Sequence, residues 1–334
     1  MKTAVVILNW NGKQLLEQFL PSVVLHSPEA TIYVADNAST DNSVRFVKEN
    51  FPTVHILQNT ENGGYAKGYN DALEGLSEDI FILLNSDVEV TENWLPPLLH
   101  CFKTQPNTAA AQPKILDYKR KEYFEYAGAA GGFLDRLAYP FCRGRIFDTL
   151  EKDLGQYDDE KNIFWASGAC LAIRKELFEA AGKLDETYFA HQEEIDLCWR
   201  VLNLGHDIKY VPKSTVYHLG GATLAAIDPK KTFYNFRNSL FNLLKNTDGR
   251  KVWWLVLFRL LLDALAGVHY LIQGKSRHTW AIIQAHFSFY RHFSQMWKKR
   301  QSLPKKRHRF PLFSVVYAYY ILDKKNYKEL EQYS

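Results

Sequence analysis

Four short apolar runs, at residues 4–8, 31–35, 54–57 and 79–84, are separated by stretches at 14–24, 41–50 and 66–76 whose apolar residues fall three and four positions apart. Strand-like runs alternating with helical patterns are the signature of βαβ units. They restrict the first hundred residues to an α/β fold on a largely parallel sheet with helices on both faces. Right-handed crossovers in such a sheet bring the C-terminal ends of the strands to one rim. That rim collects "NWNG" (9–12), "DNAST" (36–40), "NTENGG" (59–64) and "NSD" (85–87). The last follows Phe81, Ile82, Leu83 and Leu84, a run apolar enough to be buried on both faces, and ends it in an amide, a hydroxyl and a carboxylate. The rim of an open sheet is where α/β proteins hold their ligands.

Residues 118–162 are rich in charge, glycine and aromatics with weak periodicity, and are expected to form a long loop or irregular insertion over the site. Regular pattern returns at 163–173, a predicted strand, with a helix from Lys175. "EEIDLCWRVLNLG" puts Ile195, Trp199 and Leu202 on one helical face with Gly205 at its stop, and "DIKYV" and "STVYHLGG" read as two short strands. Charge is split along the chain: residues 1–229 hold 21 Lys and Arg against 32 Asp and Glu, and residues 230–334 hold 20 against 5. The expected organisation is a catalytic domain over 1–229 and a helical, basic C-terminal region over 230–334 that faces a polyanionic surface. Cys101, Cys142, Cys170 and Cys198 form no C-x-x-C pair, so no zinc ribbon or disulfide framework is expected, and buried, reduced thiols point to the cytosol. The apolar run at the N-terminus is too short and wrongly flanked for a secretory signal, so no export is expected.

Asp36 closes the second run, where a carboxylate in a nucleotide-binding sheet accepts hydrogen bonds from a base or ribose; a plain turn residue would look the same. "ENGGYAKGYN" opens a helix on Gly63 and Gly64, letting backbone amides approach an anion, with simple loop punctuation as the alternative. "NWNGKQ" lacks the second glycine of G-x-G-x-x-G, which disfavours a nicotinamide dehydrogenase. In "NSD", Asp87 can ligate a Mg²⁺ or Mn²⁺ that also holds a diphosphate and Asn85 can hydrogen-bond a ribose hydroxyl, unless the triplet is only an Asx turn. Glu193, Glu194 and Asp196 crowd three carboxylates into a first helical turn, where the macrodipole favours negative charge. They follow "WASG" and "YFAH", material suited to a sugar pocket, so a carboxylate there can act as a general base.

Taken in order, "VVILNWNG", "VADNASTDNS", "NTENGGYAKGYNDAL", "LLNSDVEV", "WASGACLAIRKELFEAAGKLDETYFAHQEEIDLCWR" and "VYHLGGAT" make the chain resemble glycosyltransferase family 2 over about residues 3–245. These are the inverting nucleotide-sugar transferases of GT-A fold, and the chain resembles especially the family's rhamnosyltransferase-like bacterial branch. The resemblance implies a Rossmann-like, mostly parallel α/β sheet with a helical C-terminal appendage. It also implies a dTDP-, UDP- or GDP-linked sugar donor and a divalent metal, Mg²⁺ or Mn²⁺. By position it implies Asp36 as the contact to the nucleotide base, and Asn9, Asn11, Asn62, Gly63, Gly64, Asn70, Asn85 and Ser86 as further donor-binding residues. Asp87 and His218 would hold metal or diphosphate, and Trp165, Ser167 and Gly168 would line the acceptor or sugar pocket. Glu194 matches the catalytic base, with Glu193 and Asp196 as alternatives. Asn85 replaces the first acid of the family's D-x-D, and Glu194 stands where Asp is usual.

The implied activity is transfer of a sugar, rhamnose among the candidates, to a hydroxyl of a polysaccharide or lipid-linked acceptor in cell-surface glycan synthesis. "VWWLVLFRLLLDALAGVHYLI" (252–272) is long enough to span a membrane, but Arg259 and Asp263 sit four apart near its middle, so an interfacial or protein-packed helix is expected. Seven Lys and Arg from Lys298 to Arg309 add attraction to anionic lipid, which suggests a cytoplasmic protein, peripheral at the inner face of the cell membrane. A nucleotidyltransferase of related fold would need a glycine- and lysine-rich triphosphate loop, which "NWNGKQ" does not supply. A basic-tailed nucleic-acid-binding protein would bind with strong salt dependence, but no stacking platform or recognition motif supports it, so no nucleic-acid partner is expected.

Overall fold

The four apolar runs form β1 (Thr3–Asn9), β2 (Thr31–Asp36), β3 (His55–Gln58) and β4 (Ile80–Asn85), linked by α1 (Lys13–His26), α2 (Ser43–Asn50) and α3 (Gly64–Leu73). The computed structural model describes residues 1–220 and 228–333, so the end of the "VYHLGGAT" motif, at 221–223, lies outside the described residues. The chain continues through β5 (Val88–Val90), α4 (Leu95–Thr104), β6 (Thr108–Asp117), β7 (Gly132–Leu134), β8 (Pro140–Cys142), β9 (Arg145–Ile146), β10 (Thr149–Leu150) and β11 (Lys161–Asn162). It then forms β12 (Cys170–Arg174), α5 (Lys175–Ala180), a 3₁₀ turn at Glu186–Tyr188, α6 (Glu193–Asn203) and β13 (Asp207–His218).

A nine-stranded sheet ordered β11-β13-β6-β12-β4-β1-β2-β3, with β5 paired to β13, carries the fold. β1 lies parallel between β2 and β4, and β2 is parallel to β3. β12 runs antiparallel between β4 and β6, after which β6 and β13 are again parallel. Alternate residues of β4 enter opposite cores: Phe81 and Leu83 face α3 and α6, while Ile82 and Leu84 face α1 and α4. A strand covered on both sides has no polar face, which is why its sequence is an unbroken apolar run.

Three expectations are corrected. The stretch 118–162 contains a second, antiparallel sheet ordered β10-β9-β8-β7. Its strands are two or three residues long, too short to display a two-residue period. Buried charge fastens this insertion: Lys114 on β6 pairs with Asp153 at 2.7 Å and with Asp158, and Arg143 pairs with Asp159 while lying over the Tyr157 ring. β13 is one strand rather than two, with a register shift between Val211 and Thr215 where Pro212, lacking an N–H for the ladder, sits in a bulge. The strand expected at 163–173 begins only at Cys170, because the Ser167 hydroxyl accepts from the Ala169 amide at 3.1 Å and turns the chain.

The C-terminal region comprises α7 (Pro229–Asn246), α8 (Val252–Ile272), α9 (Ser276–Arg291), α10 (Phe293–Ser302), α11 (Val315–Tyr320) and α12 (Tyr327–Tyr333). The Asp228 carboxylate caps α7 by accepting from Lys230 N at 2.8 Å, and Pro229 occupies the first helical position. α7 packs on α6, α8, α9 and α10. Part of the basic stretch turns inward: Lys299 pairs with Asp185 at 2.6 Å, and Arg300 donates to the Leu244 and Gly249 carbonyls at 2.8 Å each. All four cysteines are buried and free.

Candidate active site

Strand register assembles the rim. Asn9 stands opposite Asp36, and Leu8 opposite Asn85, so three polar strand ends lie side by side. Asn9 is buried and donates to Asp36 Oδ1 at 2.9 Å and to Ser43 Oγ at 3.0 Å. Asp36 Oδ2 accepts from the Ser39 amide at 2.9 Å and from Gln58 Nε2 at 2.8 Å. Both oxygens of Asp36 are occupied and 0% of its surface is exposed, so it ties the ends of β1, β2 and β3 together at the rim. Asn11 is exposed, and its Oδ1 accepts from Thr40 N at 2.7 Å and Asp41 N at 3.2 Å, tying the first rim loop to the second.

The glycine loop before α3 is fixed by long-range contacts. Gly64 has φ +76°, and a Cβ there would lie 2.5 Å from the Phe189 carbonyl oxygen, so no other residue fits without displacing that segment. Asn62 Oδ1 accepts from Gly64 N at 3.0 Å. Tyr65 donates its amide to the Phe189 carbonyl and its hydroxyl to the Gly168 carbonyl, each at 2.9 Å. Tyr65 thereby brings the glycine loop, the "WASG" turn and the approach to the acidic turn to one place.

Three more of the expected site residues have partners within the fold. Asn70 is buried and pairs with the backbone N–H and C=O of Leu184 at 3.0 and 2.9 Å, a structural clamp on α3. Trp165 is buried, donates Nε1–H to the Phe133 carbonyl at 2.9 Å and packs against Gly132, where any Cβ would enter its ring. Ser167 is buried and bonded to the Ala127 carbonyl. Of the expected acceptor-pocket residues Gly168 is the least buried, while Asn85 and Ser86 stay partly exposed at the end of β4.

His218 reaches the rim because β13 ends antiparallel to β5, placing His218 opposite Val88. Its Nε2 lies 3.1 Å from Asp87 Oδ1 and 3.5 Å from Asn85 Nδ2, and its Nδ1 lies 3.4 Å from Glu125 Oε1. Burial works against a charge on this ring, but Glu125 and Asp87 outweigh it and push His218 up to about 10. The Asp87 carboxylate suits Mg²⁺ or Mn²⁺ when a substrate diphosphate completes the coordination, and His218 joins it as a ligand only by giving up the proton that its two carboxylate neighbours favour. Among the described residues no group of three His, Cys, Asp or Glu side chains is arranged to hold a metal by itself. Glu125 had no signal in the sequence: it lies in the insertion, in a stretch without period.

The three carboxylates of α6 have three different surroundings. Asp196 is fully buried, 2.8 Å from Arg200 and 2.7 Å from Lys245; burial would raise it, but these two cations hold it below the usual carboxylate range. Glu193 is buried with Oε2 unpartnered, and burial followed by the Glu194 charge pushes it well above the usual range. Glu194 keeps solvent contact, and burial pushes it up to about 7 against opposing backbone hydrogen bonds. Asp196 and Glu193 are therefore built into the fold, and Glu194 is the least buried of the three acids.

The loop before α6 is strained. Phe189, His191 and Gln192 have φ of 65°, 68° and 69°, each costing about 1 kcal/mol or more. Helix α7 holds them: Asn238 donates to the Ala190 and His191 carbonyls at 3.0 and 2.6 Å, and Arg237 donates to the Tyr188 carbonyl at 2.9 Å. Sequence reasoning missed this brace: α7 is polar over much of its length, and nothing in its sequence marks Arg237 and Asn238 as the buried pair.

The sequence family described as Glycosyl transferase family 2 matches residues 4–182. The chain is 27% identical over 265 residues to the N-acetylglucosaminyl-diphospho-decaprenol L-rhamnosyltransferase of Mycobacterium tuberculosis, covering 75% of this chain and 85% of that one. It is 24% identical over 230 residues to the dTDP-rhamnosyl transferase RfbF of Shigella flexneri, covering 64% and 71% respectively. In fold it is similar to the mannosyltransferase of Pyrobaculum calidifontis solved with GDP-Man and Mn²⁺, with TM-score 0.54 at 14% identity over 86% of this chain and 87% of that one. A structure of GalNAc-T7 with UDP, GalNAc and Mn²⁺ matches with TM-score 0.52 at 18% identity, over 65% of this chain and 43% of that one.

Proposed function

The chain belongs to glycosyl transferase family 2 and is a glycosyltransferase of GT-A fold, and from that premise we propose that it inverts the anomeric centre of a nucleoside-diphosphate sugar, rhamnose being the leading candidate, as it transfers that sugar to an acceptor hydroxyl. The acceptor is a polysaccharide or lipid-linked glycan of the cell surface, met at the inner face of the membrane. The named relatives that transfer rhamnose, one of them to a diphospho-decaprenol carrier, support this choice. The observation that carries the mechanism is the separation of three neighbouring carboxylates into one ion-paired, one buried and one, Glu194, that is only partly buried.

Glu194 takes the proton of the acceptor hydroxyl as its oxygen attacks the anomeric carbon. The bond to the diphosphate breaks on the opposite side of the ring, so one C–O bond forms, one breaks and the configuration inverts. Its raised proton affinity, about 7, suits a base working near neutral pH. Gly63, Gly64, Asn62, Asn85 and Ser86 line the donor side, the glycines allowing backbone amides to approach phosphate. Asp87 and His218 would hold Mg²⁺ or Mn²⁺, which supplies positive charge for the departing diphosphate when bound. Incubation with a panel of dTDP-, UDP- and GDP-sugars, with Mg²⁺ or Mn²⁺, tests this. Release of nucleoside diphosphate and a product of inverted anomeric configuration are expected, both lost in Asp87→Ala; retained configuration would overturn it.

A further inference from the structure

Between Gly249 and Leu322 the sequence holds thirteen Lys and Arg and a single acid, Asp263. That acid is fully buried, 2.7 Å from Arg259, 3.0 Å from the Tyr139 hydroxyl and 3.3 Å from His286. Arg259 is likewise buried and donates to the Leu137 carbonyl at 3.1 Å. Both charges of α8 thus point into the protein. The opposite side of the helix presents Trp254, Phe258, Leu261, Leu265 and Ile272 to solvent, the last at 80% exposure, and no Asp, Glu, Lys or Arg interrupts it. Trp280 and Phe287 on the neighbouring α9 are also exposed and extend this side of the hairpin. So broad an uncharged apolar surface marks an interaction site.

We propose that the outer side of the α8–α9 hairpin lies on an anionic lipid bilayer at interfacial depth and does not cross it. Crossing would pull the Arg259–Asp263 pair and its Tyr139, Leu137 and His286 partners out of the protein and into lipid, where charge is costly. The occupant is chosen by charge. Exposed Arg250, Lys275, Arg277 and Arg291 flank the apolar surface, and no exposed acid lies among the described residues of this hairpin to receive them from a second copy. Anionic headgroups supply the missing negative charge. A groove of about 940 Å³ runs along the edge of this surface, bounded by Leu271, Trp280 and Ile283 on one side and by Lys230, Tyr234 and Asp228, whose carboxylate caps α7, on the other. Tyr234 stacks on Phe189 at 5.8 Å, and Phe189 in turn holds the glycine loop. The lipid seat therefore adjoins the catalytic turn, as a membrane-borne acceptor requires; this inference rests on the membrane-side acceptor proposed above.

The test is flotation of the full chain with phosphatidylcholine vesicles, with and without phosphatidylglycerol, alongside light scattering and donor turnover in vesicle-free buffer. The wild type is expected to bind the anionic vesicles preferentially. Leu265→Glu with Phe287→Glu is expected to lower that partition by about tenfold or more, with unchanged melting temperature and unchanged donor turnover. Equal binding of the double variant, or equal binding to both vesicle types, overturns the proposal. So does a wild-type dimer that the double variant dissolves, or a fluorophore on Leu265→Cys that reports the bilayer midplane. Each of these leaves donor turnover intact, whereas failure of the transferase reading removes turnover and leaves flotation intact. Lys306→Ala with Arg307→Ala keeps the two apart from simple basic-tail adhesion: loss of binding only in that variant also overturns the proposal.

Discussion

Replacing Glu194 with Gln keeps the side chain's size and its place at the start of α6 while removing the base. A positioned base supplies about 10²- to 10⁴-fold, or about 2.7–5.5 kcal/mol at 1.36 kcal/mol per decade. The pH profile makes the test specific. A base must be deprotonated, and burial moves Glu194 up to about 7, so wild-type turnover should rise about tenfold per pH unit below that value and level off above it. An ordinary exposed glutamate, titrating near 4.3, would show a flat profile from about pH 5.5 upward. Glu194→Gln should remove the rising limb. Because the folded state binds this proton more tightly than the unfolded chain, wild-type stability falls as pH rises through this window, and Glu194→Gln should be no less stable than wild type at neutral pH. Asp196→Asn should behave in the opposite manner: it strips a fully buried carboxylate from Arg200 and Lys245, costs about 3–5 kcal/mol of stability and leaves the pH limb in place. The assay is nucleoside diphosphate release from pH 5 to 9 at saturating donor, with donor affinity and melting temperature measured on each variant. Turnover of Glu194→Gln within threefold of wild type with the limb near 7 retained, or disappearance of that limb in Glu193→Gln instead, would refute the assignment.

Lys245→Met should lower the melting temperature by about 4 °C, since breaking a buried ion pair costs about 3 kcal/mol and a chain of this length unfolds with about 0.7 kcal/mol/K of entropy; a loss under 1 °C by circular dichroism would show that the cluster contributes little. Asp185, held below the usual range mainly by Lys245 and Lys299 against burial, adds stability that is present above the unfolded-state value and lost as pH falls; the acid-induced loss should shrink in the same variant. Gly64→Ala should cost about 1–3 kcal/mol through its positive φ and its contact with the Phe189 carbonyl, and should raise the KM for donor more than it lowers kcat. Chelation of divalent metal, or His218→Ala, should weaken binding of nucleoside diphosphate in calorimetry while leaving the free nucleoside unaffected.

The sheet was legible because periodicity and burial are local properties. A strand covered on both faces reads as a continuous apolar run, a helix reads at spacings of three and four, and α8 was found at its observed boundaries, Val252–Ile272. The rim was legible too, because parallel strands joined by right-handed crossovers all end on the same side. Which rim residue meets a ligand was not legible. The partners that Asp36, Asn70, Trp165 and Ser167 take within the fold, Gln58, Leu184, Phe133 and Ala127, lie 22 or more positions away and leave no local pattern.

From its amino-acid order alone, this chain declares an α/β sheet, a polar rim and three acids in one helical turn. Only the tertiary structure divides those acids, because a carboxylate's surroundings depend on what comes to it from far along the chain: Lys245 arrives at Asp196 across 49 positions, while Glu194 keeps partial exposure. Glu125 comes to His218 across 93 positions in the same way. A hydrogen bond or ion pair at 3 Å is blind to sequence separation, whereas every pattern readable in a sequence is short.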